Sequence, residues 1–256
     1  AAPVFNTALA LTYLAQQQQA NGAFGDAFTT DWAALAFAAA DPGSAKTNLR
    51  NYLLSSSAAL SGPQDNARHA MALMALGIDP YTGTAVDFIA PIVASFDGTQ
   101  IGSPSLDNDD TFALFPLMHA GYGAPDEIIR KSVAFILSRQ HADGSWDGGV
   151  DIVAATVQAL TPLQSLPGVS EALAKAKTYL HATQQTDGGW GNISSTSWVL
   201  QAIAAFGESP TTWAPTGTNP LPYLISLQQT DGGMKITSIA AFTRIWETEY
   251  AIPAAG

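Results

Sequence analysis

Two kinds of helical segment alternate along the chain. In segments such as 171–183, apolar residues recur every three or four positions, which is typical of a helix with one face in water. Segments of the second kind are apolar nearly all round, which predicts helices buried on every side. These inner segments are 31–39, 66–77, 110–120, 151–163, 195–206 and 236–251. Each follows an amphipathic outer segment, so the pattern predicts six helical hairpins.

The joints within the hairpins repeat with a period of 44 residues. A glutamine is followed four positions later by a glycine and two positions after that by a large apolar residue. The glycine favours a turn that ends a helix, the glutamine amide can bind unpaired backbone groups there, and a tryptophan can cover the turn. We expect a structural role for these repeat residues, which are Gln18, Gln140, Trp146, Gln184, Trp190 and Gln228.

Six such hairpins can close into a ring with the apolar helices inside. An open solenoid would need polar capping faces on its end repeats, and neither end of this sequence shows one. We therefore predict an all-α fold, an α/α6 toroid with six inner and six outer helices. The prediction is a single domain over residues 1–256.

The repeat resembles the QW repeats of the terpenoid cyclase and protein prenyltransferase superfamily. The resemblance is most specific in residues 184–191, Gln-Gln-Thr-Asp-Gly-Gly-Trp-Gly, and in 139–148, and through the six hairpins it covers essentially the whole chain. It implies the α/α-toroid fold and a squalene cyclase-like relationship. Because that fold carries unrelated functions, the function has to be argued from the site.

Composition removes several kinds of function. With 256 residues, no cysteine and a net charge of −11, the chain has no thiolate chemistry, no cysteine-ligated zinc and no basic surface for nucleic acid. No apolar run is long enough to span a membrane, and the four histidines fall in four different repeats. We predict no cofactor. The start without Met, the few lysines and the missing thiols lead us to expect an exported protein, extracellular or at the cell surface.

Many of the aspartates stand at turns and at the starts of inner helices, which a toroid would collect at one mouth. Asp commonly caps helices and forms Asp-Gly turns, and this explains most of them. We nevertheless take the acidic mouth and the aromatic residues of the inner helices as a candidate cavity. Its candidate residues are Asp31, Trp32, Asp65, Phe112, Phe115, Asp151, Trp198 and Trp246.

One acidic cluster is more specific. The segment 106–111, Leu-Asp-Asn-Asp-Asp-Thr, resembles the Asp-x-Asp-Asp-Thr motif of class II terpene cyclases. The resemblance implies that Asp109 is the proton donor, flanked by Asp107 and Asp110. Crowded carboxylates cannot all ionise cheaply, so one can stay protonated and act as an acid. A capping box with Asp107 as N-cap also explains the motif, and we favour this structural interpretation over catalysis. A weak calcium site on the three carboxylates is a further alternative.

A second pair of carboxylates, Glu247 and Glu249, stands in the last inner segment. A paired-carboxylate glycosidase site is conceivable there. The expectation from the sequence is instead a solvated helix end.

Three hypotheses of function follow. The leading one is an exported or cell-surface module, not an enzyme, that binds a small hydrophobic ligand or a protein partner at the acidic mouth. The first alternative is a class II terpene cyclase of the squalene–hopene type with Asp109 as acid; against it, such enzymes generally place their cavity between two helical domains. The second alternative is a structural surface protein that associates through its edges as a homo-oligomer.

Overall fold

The regular structure of the described part of the protein is helical. The computed structural model describes residues 4–38, 43–55, 60–215, 217–237 and 243–255. Within these ranges there are twelve α-helices and two 3-10 helices, Thr161–Leu163 and Pro210–Thr212. The α-helices are α1 (Thr7–Gln17), α2 (Ala27–Ala38), α3 (Ser44–Ser55), α4 (Pro63–Ala75), α5 (Ala90–Ala94), α6 (Asp107–His119), α7 (Glu127–Ser138), α8 (Val150–Leu160), α9 (Val169–Thr183), α10 (Ile193–Ala205), α11 (Pro220–Ser226) and α12 (Arg244–Ala255).

The alternation of inner and outer helices follows the prediction, with shifted boundaries. The even-numbered helices are the predicted inner ones; α10 is buried along most of its length, whereas α7 buries one face. The helix α6 begins three residues before the predicted start, because its acidic residues belong to its first turn. The outer helices α5 and α11 are only 5 and 7 residues long. Residues 1–3, 39, 56–59 and 238–242, which belong to predicted segments or to the chain start discussed above, lie outside the described residues.

Contacts divide the chain into two compact units. The terminal unit comprises Ala1–Ser56, Ala75–Gly77 and Gln184–Gly256, and the central unit comprises Ser57–Met74 and Ile78–Thr183. In the terminal unit, α12 packs against α10, α2 and α1. In the central unit, α6 packs against α7 and α8, and α8 packs against α9.

The repeated glutamines tie each turn to the following outer segment. Gln184 Nε2 donates to the carbonyls of Gly188 and Trp213, at 2.7 and 2.9 Å. The last repeat makes the same contact with the start of α1, where Asn6 N–H also donates to Gln228 Oε1 at 2.8 Å. The other paired carbonyls are Gly22 and Ala45 for Gln18, Gly144 and Ala172 for Gln140, and Gly232 and Asn6 for Gln228.

The glycine of the repeat is required by this close approach. Gly144 has φ +93°, and a Cβ there would collide with the carbonyl of Lys175. The tryptophan that follows is buried against the preceding helix, since Trp146 Nε1 donates to Ile136 O at 2.7 Å. Glutamine, glycine and tryptophan thus form one structural joint.

A second bond recurs at the starts of inner helices in the terminal unit. The backbone N–H of the large apolar residue after the turn donates to a threonine hydroxyl of the next inner helix. The pairs are Phe24 with Thr30 at 3.0 Å, Trp190 with Thr196 at 3.0 Å and Met234 with Thr248 at 2.9 Å. We call Thr30, Thr196 and Thr248 the strut threonines.

Candidate functional site

Three carboxylic acids crowd the first turn of α6. Asp107, Asp109 and Asp110 are 3%, 5% and 0% exposed. Acidic residues are favoured in a first helical turn by the helix dipole, but burial of three of them together is costly unless each is paired or neutral. Their partners therefore decide what the group can do. We call these three residues the carboxylate cluster.

Asp107 is held in an ion pair and is not a helix cap. Its Oδ1 accepts from Arg139 Nε at 2.7 Å, and its Oδ2 accepts from the Asp147 backbone N–H at 2.9 Å. The side chain of Asp107 in turn raises the pKa of Arg139. The N-cap of α6 is Leu106, with no side-chain cap bond. The prediction of a capping box with Asp107 as N-cap is therefore wrong: its carboxylate is engaged by residues 32 and 40 positions away.

Asp109 keeps one oxygen available. Its Oδ2 accepts from the Ser103 backbone N–H at 2.9 Å, whereas Oδ1 makes no hydrogen bond within the part of the chain that the structure describes. Gly102, at φ +77°, lies directly against this carboxyl group, and a Cβ there would collide with it. One oxygen of this carboxyl group is thus held by a hydrogen bond and by the close approach of Gly102, and the other is not hydrogen-bonded.

Asp110 is the member of the cluster with a raised pKa. Its Oδ1 accepts from the Ile101 backbone N–H at 2.9 Å, while Oδ2 is buried without a well-formed hydrogen bond. Burial raises the pKa of Asp110 to about 7, against the lowering effects of the Ser132 hydroxyl and the Ile101 N–H. The negative charges of Asp109 and Asp97 raise this pKa further. Asp110 therefore retains its proton up to a pH close to neutral.

Asp110 takes the place that a strut threonine takes elsewhere. Before α6, the backbone N–H of the apolar residue after the turn, Ile101, donates to a carboxyl oxygen of α6 instead of a hydroxyl. The bond itself is the same as that between Trp190 and Thr196. A hydroxyl would serve this bond equally well, so the joint does not explain why residue 110 carries a carboxyl group.

The carboxylate cluster is not arranged as a calcium site among the described residues. The three carboxyl groups bind three different sets of donors. Among the described residues, no three His, Cys, Asp or Glu side chains are placed to hold a metal ion.

The predicted aromatic residues fall into two groups. Trp32, Trp198 and Trp246 come together in the terminal unit with Phe28 and Tyr250. Ring centroids lie 5.6 Å apart for Trp32 and Trp198, 5.2 Å for Trp32 and Tyr250, and 5.1 Å for Phe28 and Trp246. We call these five rings the aromatic cluster. The remaining two, Phe112 and Phe115, belong to α6 of the central unit, with centroids 6.3 Å apart.

The other predicted mouth aspartates have ordinary places near helix starts. Asp65 is in the first turn of α4 and pairs with Arg68 at 2.8 Å. Asp151 is in the first turn of α8. Asp31 lies on the second turn of α2 and is 2% exposed.

The sequence analysis missed the burial of Glu247 and Glu249. These residues are 0% and 2% exposed, so the prediction of a solvated helix end is wrong. Glu247 Oε1 accepts from the backbone N–H and the hydroxyl of Thr237, at 2.7 and 2.9 Å. Both oxygens of Glu249 are buried and find no hydrogen-bond partner in the part of the chain that the structure describes. The signal in the sequence was their position inside an apolar segment, next to Trp246 and Tyr250.

A separate open cavity lies beside α5. It has a volume of about 430 Å³ and is lined by Tyr81, Ile89, Val93 and Tyr122, among others. None of the predicted site residues lines it. No helix of the described ranges has the length and apolar character needed to cross a membrane.

Sequence comparison links the chain to squalene–hopene cyclases. The model of the squalene-hopene cyclase C-terminal domain family matches residues 101–250. The squalene–hopene cyclase of Zymomonas mobilis is 29% identical over 158 residues, 52% of this chain and 24% of that protein. The enzyme of Bradyrhizobium diazoefficiens is 29% identical over 127 residues, 41% of this chain and 19% of that protein. The chain thus matches about a quarter or less of the length of these curated relatives.

Structural comparison gives the fold. The type II terpene cyclase MstE from Scytonema superposes with a TM-score of 0.70 and 11% identity, over 97% of this chain and 95% of that chain. Variants of MstE solved with merosterolic acid A as product and with geranylgeranyl dihydroxybenzoate as substrate both give 0.71. The chain has the all-α, α/α-toroid fold that the sequence predicted.

Proposed function

The chain belongs to the squalene-hopene cyclase C-terminal domain family, and we propose from this that it is a class II terpene cyclase, or part of one, with Asp109 as proton donor. The family and the structural neighbours favour this enzyme over a non-enzymatic binding module and over a structural surface protein. The observation that carries the proposal is the carboxylate cluster in the first turn of α6.

The hydrogen-bond partners of the three carboxyl groups suggest a different role for each. Asp107 is neutralised by Arg139 and fixed by two donors. Asp110 is the next residue in the same turn, and burial raises the pKa of Asp110 to about 7, so a protonated carboxyl group stands beside Asp109 near neutral pH. Asp109 has one oxygen that accepts from Ser103 N–H and a second without a hydrogen bond among the described residues, whereas Asp110 is completely buried. We therefore place the transferred proton on Asp109 Oδ1.

The reaction begins with protonation of an alkene. The π electrons of a substrate C=C bond take the proton from Asp109 Oδ1, forming a C–H bond and leaving a carbocation on the other carbon and a carboxylate on Asp109. A second C=C bond of the same molecule attacks the cation and closes a ring. Loss of a proton to water restores a neutral product. The substrate class proposed is a linear isoprenoid with several C=C bonds, the class to which the substrates of the relatives belong.

The experiment is cyclisation in heavy water. We expect the protein to convert squalene or geranylgeranyl dihydroxybenzoate into a cyclic product that carries one deuterium at the protonated carbon, as detected by mass spectrometry and NMR. Asp109→Asn should lower the rate by about 100-fold or more, the usual contribution of a general acid. Asp126→Asn, at the half-exposed N-cap of α7, is the matched control and should keep the wild-type rate.

Two outcomes contradict the proposal. A product without deuterium would show that no proton is added to the alkene. Equal rates for the wild type and Asp109→Asn, with both variants folded by circular dichroism, would remove Asp109 from the reaction.

A further inference from the structure

The open cavity beside α5 is separate from the residues of the proposed cyclisation. Its lining belongs entirely to the central unit and comes from the loop before α5, from α5 itself and from the segment that follows α6. With about 430 Å³, the cavity lies within the size range of pockets that bind small molecules. Three alanines line it together with the larger side chains of Tyr81, Asp87, Ile89, Val93 and Tyr122.

Much of this lining is aliphatic. Ile89 and Val93 offer no hydrogen bond, and neither do the alanines. Two of the alanines, Ala90 and Ala94, stand one turn apart on α5, and their short side chains leave the space beside that helix unfilled. A ligand that fills this space must therefore present an apolar body.

Three polar groups of the lining keep unused hydrogen-bonding capacity. Asp87 Oδ1 accepts from the backbone N–H groups of Ile89 and Ala90, at 2.8 and 2.9 Å. Asp87 Oδ2 makes no hydrogen bond or ion pair in the part of the chain that the structure describes, and the hydroxyl groups of Tyr81 and Tyr122 find no partner there either. The cavity thus offers one carboxylate oxygen and two phenol oxygens to a ligand that donates hydrogen bonds.

The lining carries a negative charge without a positive one. Its described residues include Asp87 but no lysine, arginine or histidine. An anionic ligand would meet the carboxylate with no cation to bind it, whereas an ammonium group would form a charge-assisted hydrogen bond with Asp87 Oδ2. We propose that this cavity binds an aliphatic ammonium compound, with its apolar body against Ile89 and Val93 and its ammonium group at Asp87.

The selectivity for charge at this site is modest. Asp87 is exposed, and a pair of exposed charges gains little because water and salt screen it. Such a pair supplies about a fivefold preference for an ammonium compound over an alcohol of the same shape. The preference should shrink as the salt concentration rises, which a purely apolar site would not show.

The test compares three compounds that share one ring: cyclohexylmethylamine, cyclohexylmethanol and cyclohexanecarboxylate. Each is titrated at pH 7 into protein with labelled methyl groups, and NMR shifts measure both affinity and position. The methyl signals of Ile89 and Val93 should shift, while those of Ile129 and Val133 on α7, which do not line the cavity, should stay. We expect the amine to bind about fivefold more tightly than the alcohol, and the carboxylate to bind most weakly.

Two aspartate variants test the role of the charge. Asp87→Asn keeps an oxygen that can accept from the N–H groups at the start of α5, so the loop should fold as before. In this variant the amine should bind no more tightly than the alcohol. Asp97→Asn is the matched control and should keep the fivefold preference, since Asp97 Oδ1 also accepts two backbone N–H groups, at 2.8 and 2.9 Å, but does not line the cavity.

Three results would overturn the proposal. They are no shift of the Ile89 and Val93 signals with the amine at about 10 mM, equal binding of amine and alcohol by the wild type, and an unchanged preference for the amine in Asp87→Asn. Asp109→Asn should bind the amine as the wild type does, because Asp109 does not line the cavity. Failure of this proposal is therefore distinct from failure of the proposed cyclisation.

Discussion

The starts of α10 and α6 solve the same structural problem with different chemistry. At α10 the buried N–H of Trp190 donates to the hydroxyl of Thr196, and at α6 the buried N–H of Ile101 donates to the carboxyl of Asp110. Both bonds have ordinary length. The hydroxyl is neutral at every relevant pH, whereas burial raises the pKa of Asp110 to about 7.

The difference between the two acceptors shows that the fold requires only a hydrogen-bond acceptor at this position and does not require an ionisable group. Threonine suffices at three such joints, so a carboxyl group at the fourth is a burden on stability that the joint does not explain. Costly groups of this kind concentrate where chemistry is performed. The comparison therefore supports the proposal that the acid of the reaction lies at the start of α6, and substitutions at three positions test it.

The largest effect is expected at Asp110. Its pKa rises from 3.8 to about 7 on folding, so the folded state binds the proton more tightly than the unfolded chain does. The resulting stability is complete below the unfolded pKa and is lost as the pH rises through the folded value, a change of roughly 4 kcal/mol. Asp110→Asn should remove this dependence, so that its free energy of unfolding between pH 4 and 7 becomes flatter than that of the wild type. Urea unfolding at a series of pH values measures it.

Asp110→Thr provides the matched arm of this experiment, because it installs the side chain of the other joints. It should show the same flat pH profile as Asp110→Asn. A wild-type profile that is already flat over this range would contradict the raised pKa and with it the contrast between the two helix starts.

An intermediate effect is expected at Gly102. Alanine there would meet the carboxyl of Asp109, and overpacking of this kind costs about 1–3 kcal/mol beyond the strain of the backbone. Gly98→Ala is a close control, since Gly98 also has a positive φ, +93°, but nothing within 4 Å of the added carbon. Thermal unfolding should therefore show Gly102→Ala to be the less stable of the two, and cyclisation should fall only in that variant. Equal stability and equal activity of the two variants would argue against a carboxyl held at this position.

The smallest effect is expected at a strut threonine. Thr196→Val keeps the shape of the side chain but leaves the buried N–H of Trp190 without an acceptor, which costs about 1–2 kcal/mol. In Thr178→Val, on the exposed face of α9, only a bond to Ala174 O is lost, and the free energy of unfolding should change by less than about 0.5 kcal/mol. If both variants unfold at the same denaturant concentration, the bond to the strut threonine does not contribute to stability. The bonds at the starts of α10 and α6 could then not be compared as equivalent stabilising bonds.

Local sequence rules were enough for the repeat and its helices. The 44-residue spacing, the alternation of apolar and amphipathic segments and the glycine turns depend on residues a few positions apart, and the structure keeps them. The same locality placed Asp107, Asp109 and Asp110 at the start of an inner helix. Boundaries moved by several residues because polar side chains in a first turn look like turn residues in the sequence.

The burial and the partners of the acidic side chains depend on tertiary structure alone. Asp107 is paired with Arg139, the residue that follows α7, and burial raises the pKa of Asp110; neither cause is visible in the order of residues around them. Glu249 shows this most clearly, since the sequence predicted a solvated helix end and packing against α2 and α10 enclosed it. Patterning determines helices because backbone bonds are local, whereas the charge of a carboxyl group depends on water and partners that distant segments remove or supply.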